Sequence, residues 1–139
     1  MSVPALKQRI LHLIGSFNQG GTERQAVSLV KALVADNQFE IFVATLNKEG
    51  VLLNEVENLG RPEIPEFKLT SFFNYDFFRQ LSRCAEYIRE NRIDLVQTHD
   101  FYSNIFGMGA ARLAGVKARI ASKRETDGMR TTSQDMVER

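Results

Sequence analysis

The sequence predicts an α/β domain built on a parallel sheet, and three observations carry that prediction. Short runs of apolar and β-branched residues alternate along the chain with segments whose apolar residues recur every three or four positions. The connections between the strand-like runs are long enough for the crossovers that parallel strands require. At 139 residues, with 43% hydrophobic and 25% charged residues, the chain has the size and composition of one globular domain.

Five strands are predicted from the apolar runs, at residues 10–14, 39–46, 65–71, 93–99 and 118–122. The third is the weakest, because Pro62 and Pro65 crowd its start and proline cannot donate to a strand ladder. The helical segments begin at Thr22, lie between Gly50 and Gly60, extend from the stripe at Phe77 to Asn91, and cover residues 103–115. Thr22 with Gln25 forms a capping box, which predicts the start of the first helix.

This alternation predicts a Rossmann-like three-layer domain over residues 1–139, with helices on both faces of the sheet. The end of the chain fits that pattern less well. Residues 124–139 carry seven charged residues and only three apolar ones. We therefore expect the chain to stop before its fold is complete.

Composition and charge exclude several classes of protein. A formal net charge of +1 gives no bulk attraction to nucleic acid, so we expect no nucleic-acid partner. The single cysteine, Cys84, is typical of a core residue in a reducing compartment. No apolar stretch is long enough for a signal peptide or a membrane span, which predicts a cytoplasmic protein. Two histidines and one cysteine do not cluster, so we expect no metal site.

The turn GSFNQGGTERQ, residues 15–25, joins the first strand to the first helix. Its glycines nearly match the phosphate loop G-x-x-x-x-G-K-[ST], but Gly21 stands where that loop needs a lysine. The turn also lacks G-x-G-x-x-G, the pattern that admits a dinucleotide. Neither a nucleoside triphosphatase nor a standard NAD site is expected.

Gly20 and Gly21 still remove two side chains just before a helix N-terminus, where unpaired N–H groups and the helix dipole favour negative charge. A phosphate-bearing substrate could approach the bare backbone there, with Arg24 as a charged clamp. The alternative is that the glycines only make a tight turn and that Arg24 is solvated.

A second loop is expected to face this turn. In the common doubly wound order the first and fourth strands are neighbours, and ligands bind beyond their carboxyl ends. THDFYSN follows the fourth strand, so His99 and Asp100 are candidates to line the crevice, with His99 as the candidate catalytic residue. His12, in mid-strand, is interpreted as structural. Lys123 and Arg124 follow the fifth strand at the same edge of the sheet, as anion contacts or as a solvated charge run.

Three segments carry a resemblance to a known family. GGTERQAVSLVKAL follows the first strand, IDLVQTHDFYSNIFGMGAARLAGV includes the fourth, and ARIASKRETDG includes the fifth. Together and in this order they resemble the N-terminal domain of the group 1 (family 4) retaining glycosyltransferases of the GT-B fold. The doublet-glycine turn with Glu23 and Arg24 is the most specific part of the resemblance.

The resemblance implies two Rossmann-like domains facing a cleft. The N-terminal domain receives the acceptor, and the C-terminal domain grips the nucleotide sugar through a Glu-x7-Glu motif. It places Gly20 and Gly21, with Thr22, Glu23 and Arg24, near the donor phosphates or the acceptor, and His99 near the sugar. Many members carry a histidine where this chain has Arg124, which leaves Arg124 as a possible anion contact. The matches to Glu-x7-Glu here, at residues 49–57 and 55–63, surround the second helix and are interpreted as chance.

The function implied is retaining transfer of a sugar from a nucleotide-diphosphate sugar to an acceptor hydroxyl, in cell-envelope polysaccharide biosynthesis. The donor is a substrate, so no separate cofactor is expected. The donor-binding domain is missing from this chain, which we expect to be inactive alone. The alternative is a non-catalytic α/β module that binds a phosphorylated ligand or a protein partner.

The aromatic segment SFFNYDFF, residues 71–78, allows two interpretations. Phe77 and Phe78 are expected to enter the core at the start of the third helix. Phe72, Phe73 and Tyr75 precede its periodic stripe and either join the core or form an exposed apolar patch. An exposed patch would suit a lipid-linked acceptor or peripheral contact with the inner face of the membrane, since arginines follow in the helix.

Overall fold

The computed structural model describes residues 7–60, 63–69, 74–122 and the backbone of 136–138. Their sheet contains strands β1 (Arg9–Ile14), β2 (Glu40–Thr45), β3 (Leu95–Thr98), β4 (Ala118–Ala121) and β5 (Met136–Glu138). The strands lie side by side in the order β2-β1-β3-β4-β5. The first four are parallel, as predicted, and β5 pairs with β4 in the antiparallel direction.

Four described helices cover the two faces of the sheet: α1 (Gly21–Asp36), α2 (Leu53–Glu57), α3 (Tyr75–Glu90) and α4 (Phe101–Ala114). Successive residues of a strand point to opposite faces. Ile10 and Ile14 therefore pack with α1 and α2 on one face. Leu11 and Leu13 pack with α3 and α4 on the other face. The predicted Rossmann-like three-layer architecture is confirmed.

The capping box predicted at Thr22 is wrong. Helix α1 begins at Gly21, and Gly20 is its N-cap without any side-chain hydrogen bond. The carbonyl of Gly20 accepts the first helical bond from the Arg24 N–H at 2.9 Å. Since Gly20 already occupies the cap position, Thr22 lies inside the first turn.

The predicted third strand is also wrong. Residues 65–69 of the predicted range 65–71 are described, and they make one parallel bridge, between Glu66 and Thr45 of β2. The Phe67 N–H donates to the Thr45 carbonyl at 2.9 Å, and the Thr45 N–H donates to the Pro65 carbonyl at 3.1 Å. Pro65 has no N–H to donate in return. The bridge nevertheless lies at the outer edge of β2, on the side where a third strand of the common order belongs.

Strand β5 was not predicted. It lies in the charged segment that led us to expect an incomplete fold, and its backbone pairs Met136 with Ala121 and Glu138 with Arg119. A three-residue strand gives too short an alternation for a sequence pattern to reveal.

Two aromatic residues at the start of α3 separate. Phe77 is 3% exposed and packs edge-on against Phe106 of α4, as predicted. Phe78 is 51% exposed, so the prediction that it enters the core is wrong. The Asn74 side chain accepts from the Phe77 N–H and fixes the start of α3, which turns the adjacent Phe78 away from the sheet. Phe72 and Phe73 lie outside the described residues.

Candidate functional site

A cleft of about 540 Å³ opens at the carboxyl ends of β1 and β3, which are neighbours as the sequence predicted. Its size is that of a small-molecule site. The described residues that line it come from the loops after β1 and β2, the start of α1, the segment beside β2 and the start of α4. They are Gly15, Ser16, Asn18, Glu23, Leu46, Asn47, Leu69, Asp100, Phe101 and Tyr102.

Asp100 fastens two walls of the cleft together. One carboxylate oxygen, Oδ2, accepts the Gly15 N–H at 2.8 Å, and the other, Oδ1, accepts the Ser103 N–H at 2.9 Å. The second bond is half of a capping box that starts α4. A Cβ on Gly15 would lie 2.6 Å from Oδ2, so only glycine permits this approach. Asp100 therefore lines the cleft, as expected, and also fixes its shape.

Glu23 occupies the mouth of the glycine turn. Its Oε2 accepts a hydrogen bond from the Ser16 hydroxyl at 3.1 Å. Its Oε1 lies 2.5 Å from where a Cβ of Gly20 would stand. The absent side chain at Gly20 thus gives room to the chain's own carboxylate, whose negative charge suits the N-terminus of α1. Thr22 is partly exposed and Gly21 is exposed, outside the described lining of the cleft.

Arg24 points away from the cleft. Its guanidinium pairs with Glu55 of α2 at 3.3 Å, and Lys31 reaches the same carboxylate at 3.1 Å. The hydrogen bond from Lys31, with the charges of Lys31 and Arg24, holds the pKa of Glu55 below its usual range. Lys123 and Arg124 lie outside the described residues. The charged side chains in the described lining are thus the carboxylates Glu23 and Asp100.

His99 lies beneath the cleft. Its side chain is fully buried, and its ring stacks on that of His12, with centroids 5.2 Å apart. His12 Nδ1 and His99 Nε2 are 2.9 Å apart, a hydrogen bond that needs a proton on one of the two nitrogens. The backbone N–H of His99 also donates a hydrogen bond to the Ser103 hydroxyl at 3.2 Å. This geometry supports a role in positioning the loop before α4, and gives no support to direct contact between His99 and a substrate.

The aromatic and amide side chains of the cleft were not among the residues predicted from sequence. Phe101 and Tyr102 begin α4 and are 65% and 57% exposed, with ring centroids 5.3 Å apart. The side-chain oxygen Oδ1 of Asn47 is buried and meets no hydrogen-bond donor among the described residues. Their position in the sequence could have identified the two rings as cleft residues, since THDFYSN places them directly after Asp100 at the edge of the sheet.

The comparisons with known proteins place this geometry in a family. Residues 19–122 match the family Glycosyltransferase Family 4. The chain belongs to that family. The match covers the glycine turn from residue 19 onward and the cleft-lining residues from Glu23 to Tyr102, while Gly15, Ser16 and Asn18 precede it.

Solved structures of other proteins have a fold similar to that of this family 4 chain. MurG of Acinetobacter baumannii is similar to it with a TM-score of 0.64 and 13% identity, over 84% of this chain and 35% of the MurG chain. The C-terminal domain of the PF1911 hydrogenase from Pyrococcus furiosus is similar with a TM-score of 0.52 and 21% identity, over 89% of this chain and 97% of that domain. At these identities the likeness shows the fold. The chain spans about a third of the MurG length.

No curated protein sequence matches the chain. Across the described ranges, no helix has the length and apolar character needed to cross a bilayer. The described residues contain no group of three or more histidine, cysteine, aspartate or glutamate side chains placed to hold a metal ion.

Proposed function

We propose that this chain is the acceptor-binding N-terminal part of a GT-B glycosyltransferase. The whole enzyme transfers a sugar from a nucleotide-diphosphate sugar to an acceptor hydroxyl, with retention of the anomeric configuration. The observation that carries the proposal is a cleft at the β1–β3 switch point in a chain that belongs to glycosyltransferase family 4. The donor is a substrate, and the reaction needs no separate cofactor.

The chain contributes binding and orientation. Glu23 and Asp100 accept hydrogen bonds from the acceptor, and the Asp100 bond to Gly15 keeps the two walls at a fixed spacing. The stacked pair of His99 and His12 supports that wall from below. Gly20, Gly21 and Thr22 supply backbone at the rim. Lys123 and Arg124 are proposed to contact the donor at the edge of the cleft, and Arg24 would join them only by leaving its ion pair with Glu55.

Stabilisation of the departing diphosphate falls to the C-terminal domain of the same protein in this proposal. Electrostatic stabilisation of a leaving group requires hydrogen-bond donors, dipoles or positive groups aimed at the developing charge. The described cleft lining offers carboxylates instead. The 139-residue chain alone is therefore expected to be inactive.

A transfer assay tests this proposal. The longest protein encoded by the reading frame is incubated with UDP- and GDP-sugars and a panel of hydroxyl acceptors, and the release of nucleoside diphosphate is measured. We expect transfer with retention, read from the product's anomeric NMR signals, and none with the 139-residue chain. Inversion in the product, or transfer by the short chain, would contradict the proposal.

We also propose that the protein works in the cytoplasm, in cell-envelope polysaccharide synthesis, with peripheral contact to the inner face of the membrane and a lipid-linked acceptor. Tyr75 is 83% exposed and Phe78 51% exposed, at the start of α3. Interfacial surfaces of peripheral proteins combine such rings with basic side chains. Arg79, in the same turn, supplies a basic side chain, which pairs with Asp76 at 2.7 Å.

Vesicle cosedimentation tests this contact. The triple change Phe72→Ser, Phe73→Ser, Tyr75→Ser should reduce binding to anionic vesicles by about tenfold, because the proposal assigns these three rings to the membrane contact. Val51→Ser, on the opposite face and 67% exposed, is the matched control and should leave binding unchanged. Equal binding by the triple variant and the wild type would rule this contact out.

A further inference from the structure

Two side-chain ties join the loops after β1 and β3 where the backbone no longer does. The described pairing of the two strands ends at Thr98. The His12 ring of β1 reaches past this point to the His99 ring, and farther out the Gly15 N–H donates to the Asp100 carboxylate at 2.8 Å. The histidine pair is therefore the inner tie, between the sheet and the cleft, and the bond from Gly15 to Asp100 is the outer tie.

The inner tie has room for one proton. His12 Nδ1 and His99 Nε2 are 2.9 Å apart, and both side chains are fully buried. A hydrogen bond at this distance needs a proton on one nitrogen and a lone pair on the other. When both rings are charged, every ring nitrogen carries a proton. Two N–H groups and two like charges would then face each other in the interior, where they repel, so the bond is lost.

The loop before α4 transmits this loss to the outer tie. The backbone N–H groups of His99 and Asp100 both donate to the Ser103 hydroxyl, at 3.2 and 3.1 Å. Asp100 in turn accepts from Gly15 and from the Ser103 N–H. Because these bonds share one short loop, a displacement of the His99 ring moves the Asp100 carboxylate away from Gly15.

The elements packed around the pair are largely uncharged. Val43 of β2 and Gln97 of β3 lie beside His12 in the sheet, and the residues that α1 buries against the sheet are apolar. The charged groups at this end of the sheet are the cleft residues Asp100 and Glu23, Arg24 in its ion pair with Glu55, and Lys123 and Arg124 outside the described residues.

These charged groups titrate in other ranges of pH than histidine. Carboxyl groups in peptides titrate near pH 4, and lysine and arginine above about pH 10. Histidine is the side chain that ordinarily changes its charge between about pH 5 and about pH 8. A change in the loops within that window is therefore assigned to the two histidines.

We infer that His12 and His99 form a proton-linked latch, which holds the two loops together while one proton lies between the rings and releases them when acid protonates both. His12 is thus a positioning residue for the cleft, and its proton state regulates the spacing of the two walls. The inference rests on the proposed function for its effect on sugar transfer, because the walls are those of the proposed acceptor cleft.

Hydrogen exchange of the Gly15 N–H tests the latch without any ligand. The longest protein of the reading frame is followed by mass spectrometry, with the peptide fragmented to single residues and the rates corrected for the chemical effect of pH. Protection of this N–H should fall about tenfold between about pH 7.5 and about pH 5, as expected for loss of one hydrogen bond. Protection of the buried α3 segment at residues 84–88 should stay constant, which shows that the protein remains folded.

Two amide substitutions of His12 separate the hydrogen bond from packing. The asparagine amide is attached at Cγ, as Nδ1 is, so His12→Asn retains a partner for His99 and carries no charge. The amide of His12→Gln lies one bond farther out and loses the bond, although glutamine fills more of the ring's volume. His12→Asn should keep Gly15 protected at both pH values, and His12→Gln should leave it unprotected at both.

Two results would overturn the latch: protection of Gly15 in the wild type that does not change with pH, or greater protection in His12→Gln than in His12→Asn. The second result would show that ring volume, and not the bond, positions the loop. It also decides the case if the wild type unfolds in acid, because the two variants are compared at about pH 7.5.

The transfer assay keeps this failure distinct from failure of the proposed function. We expect transfer by the wild type to slow about tenfold at the lower pH, and His12→Asn to flatten that dependence. Transfer by a protein whose Gly15 protection ignores pH would refute the latch and retain the transferase. The expected exchange pattern in a protein without any transfer would retain the latch and refute the transferase.

Discussion

Among the described glycines, Gly50 is the one whose replacement the backbone tolerates least. Its φ is +129°, and a Cβ there would lie 2.0 Å from the carbonyl carbon of Phe17. Phe17 is tied on both sides of this contact, since its N–H donates to Glu49 at 2.9 Å and its carbonyl accepts from Leu52 at 3.0 Å. Gly50→Ala should therefore lower the free energy of unfolding by about 2–4 kcal/mol, measured by urea denaturation.

Gly21→Ala is the matched control for that change. A Cβ at Gly21 meets nothing within 4 Å, and the residue is the first of helix α1. Alanine there should be neutral or stabilise by about 0.5–1 kcal/mol. Equal effects of the two substitutions would show that the loop carrying Gly50 is not packed on Phe17 as described.

Cys84 gives a prediction about reactivity. The Cys84 side chain is fully buried in the core. This burial raises the pKa of its thiol to about 12, although the nearby charge of Arg83 acts in the opposite direction. The native protein at pH 8 should react with iodoacetamide at least tenfold more slowly than the urea-unfolded protein. Because the folded pKa is the higher one, the thiol's contribution to stability is complete below its usual pKa and is lost as pH rises toward 12. Equal alkylation rates in native and unfolded protein would contradict the burial.

At the scale of elements, Asp100 joins the loop after β1 to the start of α4. Asp100→Ala removes a helix cap and leaves the Gly15 N–H without its partner. We expect a loss of about 2–4 kcal/mol in the free energy of unfolding, the sum of the lost helix cap and an unpaired donor at the partly buried Gly15. Chemical denaturation measures it.

Asn74→Ala is the control at the cap of α3. Asn74 accepts the Phe77 N–H at 2.8 Å, so the variant should lose about 1 kcal/mol. Asp100→Asn should fall between the two, because asparagine can still cap α4 but presents a donor toward Gly15. If Asp100→Ala cost no more than Asn74→Ala, the bond between the two walls would contribute nothing to stability.

The sequence predicted the elements whose apolar residues form a clear pattern. Helices α3 and α4 repeat apolar residues at helical spacing, and strands β1 to β4 lie within short apolar runs that are covered on both faces of the sheet. The errors fall where one local interaction decides. Gly20, and not Thr22, is the N-cap of α1. The segment after Pro65 forms a single bridge at Glu66 in place of a strand, and β5 is only three residues long.

The site was predictable in place and less so in chemistry. Strand order brought Gly15 and Asp100 to one edge, because parallel strands end together. Side-chain direction does not follow from order. Arg24 of α1 points toward Glu55 of α2, and the His99 ring points inward to His12. Neither side chain therefore lies in the cleft, where its sequence position had placed it.

At the scale of the whole molecule, we propose that the chain is one of two domains of a larger enzyme. The chain forms a cleft wall rich in carboxylates and aromatic rings, and it spans about a third of the MurG chain that it resembles in fold. Basic side chains strengthen the binding of a diphosphate, and the described cleft lining does not contain any. Donor binding and acceptor binding are therefore expected to be separable.

Calorimetric titration of UDP, GDP and their sugars into two proteins tests this claim most directly. The proteins are the 139-residue chain and the longest product of its reading frame. We expect the longer protein to bind a nucleotide or nucleotide sugar and the 139-residue chain to bind neither. Nucleotide binding of equal strength by both proteins, or by neither, would contradict it.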